Sequence, residues 1–236
     1  MNLVINPILC SKGNMNNYAY IIQDEEKSFC AIVDAAEAAP IIEFCENNNL
    51  TPQYILTTHH HFDHVGGNLQ LKEKYGLKII GSDIEKNLIK EIDHTVNDGD
   101  IFQLGNKKVK AILAPGHTKG HILWHFEEDK ILFTGDVLFN LCIGGLFEGT
   151  PQQMFESLQK IKSLDEETIF YPGHEYTKHC LSHALNQGGA DVEKYANIVI
   201  NRLKQNQPAA PINLGLEKKC NPYLKIDNLR IFSQLF

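Results

Sequence analysis

Residues 56–67 read Leu56-Thr57-Thr58-His59-His60-His61-Phe62-Asp63-His64-Val65-Gly66-Gly67, and four of the 11 histidines of this 236-residue chain lie in them. The apolar run 54–56 predicts a buried strand that ends just before the histidines, and residues 66–75 predict a helix closed by Gly76. Loops at strand ends often carry function, and neutral imidazole and carboxylate bind zinc, iron or manganese well. The stretch therefore predicts a metal site.

The spacing inside this loop assigns sides to its residues. Alternate side chains of an extended segment share a side, so His59 and His61 are predicted to face one ion and His60 to face away. Asp63 and His64 follow the turn and are predicted to reach a second point nearby. The alternative is a solvated polar loop or an engineered tag, but a tag would be terminal and uniform. Because one tetrahedral ion does not take four ligands from six residues, further ligands elsewhere would indicate two metals.

Three later segments place a polar residue beside glycine after an apolar strand or turn. They are Pro115-Gly116-His117-Thr118-Lys119-Gly120-His121, Phe133-Thr134-Gly135-Asp136 and Tyr171-Pro172-Gly173-His174-Glu175-Tyr176. Each follows a predicted strand and can meet the histidine loop at one end of a sheet. Spacing alone does not choose between His117 and His121 as the ligand, and the other would support it or lie in the core. The remaining histidines, at 94, 125, 179 and 183, are predicted to be structural or exposed.

Composition excludes several classes of protein. The chain is 43% hydrophobic and 22% charged, which is typical of a globular protein. Its formal net charge of −7 disfavours a general nucleic-acid binder. Neither a membrane-spanning run nor a signal peptide is visible, which favours the cytoplasm. The six cysteines are scattered without a CxxC motif, so reduced thiols are expected, with Cys142 as a packing residue.

The pattern of secondary structure changes near residue 172. Before it, short β-like runs alternate with a few helices, which predicts an α/β domain over residues 1–172. Beyond it, residues 177–185 and 192–206 predict helices, and the tail from 208 to 236 is predicted to be irregular. Residues 173–236 are therefore expected to form a mainly helical region.

The ligand order His59-x-His61-x-Asp63-His64, followed by His117, Asp136 and His174, resembles the metallo-β-lactamase superfamily. Further segments resemble its hydroxyacylglutathione hydrolase (glyoxalase II) branch. They are Thr57-Thr58-His59-His60-His61-Phe62-Asp63-His64, Phe133-Thr134-Gly135-Asp136, Phe147-Glu148-Gly149-Thr150, Gly173-His174-Glu175-Tyr176-Thr177 and Asn221-Pro222-Tyr223-Leu224. The resemblance implies a four-layered αββα sandwich with a C-terminal helical substrate-binding region.

The same resemblance implies a binuclear centre with two divalent ions, with zinc expected and iron or manganese as alternatives. By position, the ligands would be His59, His61 and His117 for one ion, Asp63, His64 and His174 for the other, and Asp136 between them. Asp63 and Asp136 would be catalytic as ligands that position a bridging hydroxide.

The implied reaction is hydrolysis of S-(R)-lactoylglutathione to D-lactate and glutathione, a step of methylglyoxal detoxification. A thiolate leaving group needs little help from an acid, which suits a site made of metal ligands. The absence of a GxSxG motif speaks against a serine hydrolase. Substrate contacts are expected from Phe147, Tyr176, Lys225 and Arg230.

Three positions depart from the branch pattern and weaken the expected contacts to glutathione. Gly145 stands where a basic residue is usual, Phe147 replaces a tyrosine of some relatives, and Lys225 stands where arginine is frequent. Metal-dependent thioester hydrolysis is therefore better supported than the identity of the thiol.

The alternatives are an iron-dependent persulfide dioxygenase, another metallohydrolase of this fold such as a β-lactamase, lactonase or RNA-processing nuclease, and a non-catalytic metal binder.

Overall fold

A computed structural model describes residues 3–11, 15–205 and 207–236 of the chain. Contacts divide the chain into two units. The N-terminal unit comprises residues 1–113 and 120–129, and the C-terminal unit comprises residues 114–119 and 130–236.

A six-stranded mixed sheet forms the centre of the N-terminal unit. Its strands, in spatial order, are β1 (Leu3–Cys10), β2 (Asn17–Asp24), β3 (Cys30–Val33), β4 (Tyr54–Leu56), β5 (Lys78–Ser82) and β6 (His94–Val96). β1, β2 and β3 pair antiparallel, whereas β3 to β6 run parallel. Because parallel strands end at the same edge of a sheet, the loops after β3 and β4 lie side by side.

The described residues of this unit also form three further strands and three α-helices. The strands β7 (Ile101–Leu104), β8 (Lys107–Leu113) and β9 (Ile122–Phe126) pair antiparallel in sequence order. The helices are α1 (Ala38–Asn47), α2 (Phe62–Val65) and α3 (Asn68–Tyr75), and a 3₁₀ turn follows at Asp83–Glu85. Ile41 of α1 and Leu71 of α3 are buried in one apolar cluster with Ile21, Ile32 and Ile55 of the sheet. This burial holds the helices against the sheet.

The predicted helix over 66–75 begins two residues later than expected. A separate short helix, α2, precedes it and contains Asp63 and His64. The predicted end is confirmed, since Gly76 closes α3 in the left-handed conformation with φ of 65°.

The C-terminal unit contains five strands and five helices among its described residues. The strands are β10 (Ile131–Gly135), β11 (Leu138–Phe139), β12 (Cys142–Ile143), β13 (Ile169–Pro172) and β14 (Ile212–Asn213). The helices are α4 (Pro151–Lys162), α5 (Thr177–Gln187), α6 (Ala190–Lys204), α7 (Leu214–Cys220) and α8 (Leu229–Ser233). β10 and β13 pair parallel, β13 and β14 antiparallel, and β11 with β12 forms a small hairpin.

The prediction of an irregular tail after residue 208 is wrong. The tail contains β14 and two short helices, each begun by an asparagine whose side-chain oxygen accepts backbone N–H groups. Asn213 accepts from Leu216 at the start of α7, and Asn228 accepts from Arg230 and Ile231 at the start of α8. Helices of seven and five residues are too short to show a hydrophobic period, so capping and tertiary burial stabilise them.

The prediction that all cysteines are reduced is also wrong, as is that of Cys142 as a packing residue. Cys142 in β12 forms a disulfide with Cys180 in α5, across 38 residues of sequence and a Cα–Cα distance of 5.8 Å. The other four cysteines are free and buried. Scattered spacing did not reveal the pair, because the fold brings its two members together.

Within the described residues, no helix combines the length and the apolar character that crossing a membrane requires.

Candidate metal centre

Asp34 is the residue that organises the histidine loop of the N-terminal unit. It follows β3 and has a positive φ of 53°, which is uncommon for a residue other than glycine. Its carboxylate accepts the backbone N–H of Thr58 at 2.8 Å and the Thr58 hydroxyl at 2.7 Å. The loops after two neighbouring parallel strands are thus joined by one buried acid.

The same carboxylate fixes the proton on His64. Nδ1 of His64 lies 2.8 Å from Oδ2 of Asp34, and both residues are buried. A carboxylate only accepts, so Nδ1 is the nitrogen that carries hydrogen and Nε2 presents its lone pair. A carboxylate that holds the far nitrogen of a histidine is the usual partner of a metal ligand.

His59 is oriented through Thr58. Since the Thr58 hydroxyl donates to Asp34, its oxygen accepts from Nδ1 of His59 at 3.0 Å. Nε2 of His59 is therefore the nitrogen with the lone pair, and it lies 3.1 Å from Nδ1 of His61. Two nitrogens about 2.0–2.1 Å from a tetrahedral zinc ion are about 3.3 Å apart, so this pair fits one ion. The predicted common side of His59 and His61 is confirmed.

Asp63 is held by a residue from another strand. The side-chain amide of Asn17 in β2 donates to the backbone carbonyl of Asp63 at 2.8 Å and to its Oδ2 at 3.0 Å. Oδ2 of Asp63 lies 3.7 Å from Nε2 of His64. The Asp63 carboxylate and the lone pair on Nε2 of His64 are therefore close enough to bind the same ion.

His60 and His121, which also belong to this unit, have different surroundings. His60 lies beside Glu85, with Nδ1 3.1 Å from Oε2, and its ring also contacts that of His61 at 5.0 Å between centroids. His121 is fully buried, and its ring stacks on that of His59 at 4.9 Å between centroids with 23° between the planes. His121 thus packs behind a predicted ligand.

Parallel pairing explains the convergence of Asp136 and His174 in the C-terminal unit. Asp136 follows β10 and His174 follows β13, and these strands run side by side in the same direction. Oδ2 of Asp136 lies 3.2 Å from Nε2 of His174 and 3.5 Å from Nε2 of His117. One carboxylate oxygen within 3.5 Å of two imidazole nitrogens is an arrangement suited to a shared ligand of two ions.

His117 is fixed by the loop after β12. Its Nδ1 lies 2.8 Å from the carbonyl oxygen of Gly145, which only accepts, so Nδ1 carries the hydrogen and Nε2 faces Asp136. Residue 144, just before Gly145, must be glycine, because a Cβ on Gly144 would lie 1.7 Å from the Asp136 carbonyl oxygen. The glycines of this loop thus allow the close approach that sets the His117 tautomer.

A groove of about 370 Å³ runs along the C-terminal unit beside these ligands. Its walls are formed by Phe139, Cys142, Ile143, Gly145, Tyr176, His179 and Cys180. The ring of Tyr176 stacks on His174 at 4.5 Å and 9°, and Phe139 contacts both rings edge-on. The groove is therefore lined by aromatic and sulfur groups, and two of its lining residues, Phe139 and Tyr176, contact the predicted ligand His174.

The other predicted substrate residues are exposed. Phe147 is 73% exposed, with its ring edge-on to His117 at 5.1 Å. Lys225 and Arg230 lie on the surface of the tail.

The sequence comparisons agree with the motif. Residues 13–174 match the metallo-beta-lactamase superfamily, and residues 175–235 match the hydroxyacylglutathione hydrolase C-terminus. A curated hydroxyacylglutathione hydrolase from Pelagibacter ubique is 43% identical over 224 residues, covering 93% of each chain. One from Mesorhizobium japonicum is 41% identical over 213 residues, covering 89% of this chain and 83% of the relative.

The chain belongs to the hydroxyacylglutathione hydrolase family of the metallo-β-lactamase superfamily. The predicted family and fold are thereby confirmed. Among solved structures, ETHE1 from Myxococcus xanthus has a TM-score of 0.76 at 22% identity, covering 98% of this chain and 89% of that one. The BLEG-1 B3 metallo-beta-lactamase has a TM-score of 0.74 at 22% identity, covering 94% and 100%. Identities this low establish the fold alone.

The donor chemistry of this family member suits divalent metal ions. Both units present imidazole nitrogens and carboxylate oxygens, and hydrogen bonds to the far nitrogen leave Nε2 of His59, His64 and His117 as the donor atom. Two residues that hold these ligands were missed in the sequence: Asp34, which contacts His64, and Asn17, which donates to Asp63. Asp34 carried a usable signal, since it is a polar residue directly after a buried strand, like Asp136 and His174.

Proposed function

We propose that the protein hydrolyses S-(R)-lactoylglutathione to D-lactate and glutathione. The observation that carries this proposal is membership of the hydroxyacylglutathione hydrolase family over both matched segments, 13–174 and 175–235. The proposal takes residues 1–172 as the catalytic domain and 173–236 as the substrate-binding region. It places the reaction in the cytoplasm.

We assign seven side chains to two divalent ions, with zinc as the expected metal. One ion takes His59, His61 and His117, the other takes Asp63, His64 and His174, and Asp136 bridges them. Support comes from the hydrogen bonds that present Nε2 of His59, His64 and His117 as donors. The two nitrogens next to Oδ2 of Asp136 support its role as a bridge.

When bound, two such ions supply a hydroxide near neutral pH and polarise the thioester carbonyl. The chain's own residues hold the ligands in place. Asp34 bonds to His64 and to Thr58, and the Gly145 carbonyl bonds to His117. This fixed arrangement lowers the reorganisation needed as negative charge develops in the transition state. The thiol that corresponds to the leaving thiolate has a pKa of about 8.5, so no protonated side chain is required to release it.

The tripeptide is assigned to the groove of the C-terminal unit. Tyr176 borders that groove and would donate its hydroxyl to the peptide backbone, while Phe147 offers an exposed ring beside His117. Lys225 and Arg230 would meet the glycine carboxylate. Because both cations are exposed, their contribution to binding is expected to be modest.

The test is a thioesterase assay on S-(R)-lactoylglutathione with metal content measured on the same sample. The proposal predicts turnover together with two metal ions per chain. A protein that holds two ions but does not cleave the thioester contradicts the substrate assignment. A single iron with oxygen uptake on glutathione persulfide would instead identify a persulfide dioxygenase.

A further inference from the structure

A disulfide forms part of the groove wall in the C-terminal unit. Cys142 and Cys180 both line the 370 Å³ groove, beside Tyr176 and Gly145. Both residues are half-buried, so the bond borders space that a small molecule can enter. The position matters because the molecule proposed to leave this groove, glutathione, is a thiol, and thiolates attack accessible disulfides.

The four other cysteines cannot take part in such chemistry in the folded protein. Cys10, Cys30, Cys45 and Cys220 are all buried. Burial raises the pKa of Cys10 and Cys45 to about 11 and that of Cys30 to about 12, and it also raises the pKa of Cys220. Thiol exchange in the native state is therefore confined to the Cys142–Cys180 pair.

The two sulfurs of the pair are not equivalent. Cys180 lies in the first turn of α5, which begins at Thr177, whereas Cys142 lies in the two-residue strand β12. The N–H groups of a helix N-terminus stabilise a thiolate nearby, and exchange is faster when the departing sulfur is the better stabilised one. Attack is therefore favoured at Cys142, with Cys180 as the leaving group.

The disulfide also fastens the loop that orients a predicted metal ligand. Cys142 lies three residues before Gly145, whose carbonyl oxygen fixes Nδ1 of His117. With the bond intact, the strand β12, which leads into this loop, is covalently joined to α5. Opening the bond removes the covalent tie and leaves hydrogen bonds to hold the loop, among them those of the β11–β12 hairpin and the one from the Asn221 side chain to the Cys142 carbonyl.

We infer that the Cys142–Cys180 disulfide is a thiol-exchange site for glutathione bound in this groove. The glutathione thiolate attacks Sγ of Cys142, the Cys142–Cys180 bond breaks, and a glutathione–Cys142 disulfide forms. The electron pair of the broken bond goes to Sγ of Cys180, which leaves as thiolate and takes a proton from water. A second glutathione thiolate then releases oxidised glutathione and leaves Cys142 as a thiol. The choice of glutathione as the thiol rests on the proposed function.

The experiment uses the metal-loaded full chain purified without reductant. It is incubated with glutathione, or with 2-mercaptoethanol as a thiol without a peptide, then quenched with an alkylating agent and mapped by peptide mass spectrometry. In samples quenched early, before the second exchange, we expect the glutathione adduct on Cys142 and the alkyl group on Cys180, and at late times alkylation of both. The rate should saturate with glutathione and stay linear with 2-mercaptoethanol. Hydrogen exchange of the amides at 141–147 should rise after reduction.

Two variants control the assignment. Cys180→Ser should abolish the exchange, because no disulfide remains, whereas Cys220→Ser, at a buried cysteine of the same unit, should leave it unchanged. An adduct on Cys180, alkylation of both cysteines before any thiol is added, or resistance to both thiols overturns the inference. Linear rates with both thiols overturn glutathione binding in the groove. None of these readouts depends on thioester hydrolysis, so failure here is distinguishable from failure of the proposed function.

Discussion

Asp34 and His64 are joined by a 2.8 Å contact between a buried carboxylate and a buried imidazole, although they lie 30 residues apart in sequence. The same carboxylate also accepts the Thr58 hydroxyl, which in turn orients His59. One acid that is itself no predicted ligand therefore sets the donor nitrogen of two histidines. The histidine loop is consequently pre-organised by the sheet below it.

Replacing Asp34 tests this relationship directly. In Asp34→Ala, Nδ1 of His64 loses its acceptor and the Thr58 hydroxyl is no longer directed, so metal affinity and thioesterase activity should fall by about 10- to 100-fold. Metal affinity is measured by chelator competition and activity on the metal-loaded protein. Asp24→Ala is the matched control, since Asp24 is also buried but bonds to Ser28. Equal losses in both variants would mean that Asp34 acts only through stability.

Asp136→Ala should lower thioesterase activity by several orders of magnitude. The carboxylate lies next to His117 and His174, and a shared ligand determines the position of both proposed ions. Activity and metal content are measured together, with Asp165→Ala, at an exposed aspartate of the same unit paired with Lys130, as the control. Near-normal rates in Asp136→Ala would refute the bridging role.

Lys225→Ala should raise KM several-fold and change kcat little. An exposed cation that meets the substrate carboxylate equally in ground and transition states contributes only uniform binding. Steady-state kinetics on the glutathione thioester measure both constants, and Lys204→Ala, at an exposed lysine of α6, serves as the comparison. If KM stays at its original value, Lys225 is an ordinary surface charge.

Glu217 should make stability fall as pH rises. This fully buried carboxyl accepts hydrogen bonds from Asn221, Tyr195 and the backbone N–H of Leu141, yet burial raises its pKa from 4.5 to about 7. Because the folded state holds the proton more tightly than the unfolded chain, the stabilisation is complete below about pH 4.5. It is lost as pH rises through about 7.

Urea unfolding across this pH range, with wild type and Glu217→Gln compared, measures the effect. The variant cannot ionise at this position, so the free energy of unfolding of the wild type should fall relative to it between pH 4.5 and 7. Glu193→Gln, on an exposed position of α6, should follow the wild type throughout. Parallel curves for wild type and Glu217→Gln would contradict the raised pKa.

Much of the candidate site could be predicted because its information is local. His59, His61, Asp63 and His64 lie within six residues, and Asp136 and His174 each come within two residues of the end of a strand whose composition identifies it. The order of these residues also identified the family, which the comparisons confirmed.

Tertiary structure alone decided the contacts that make these ligands usable. The acceptor of His64 lies 30 residues away, that of His117 lies 28 residues away, and Cys142 meets Cys180 across 38 residues. None of these pairs follows from periodicity or spacing, because strand order and loop conformation bring their members together. The sequence by itself determined which side chains can donate to a metal. The fold determined that Nε2 is left to donate in His64 and His117, since a proton's place on an imidazole depends on its partner, and these partners come from distant parts of the chain.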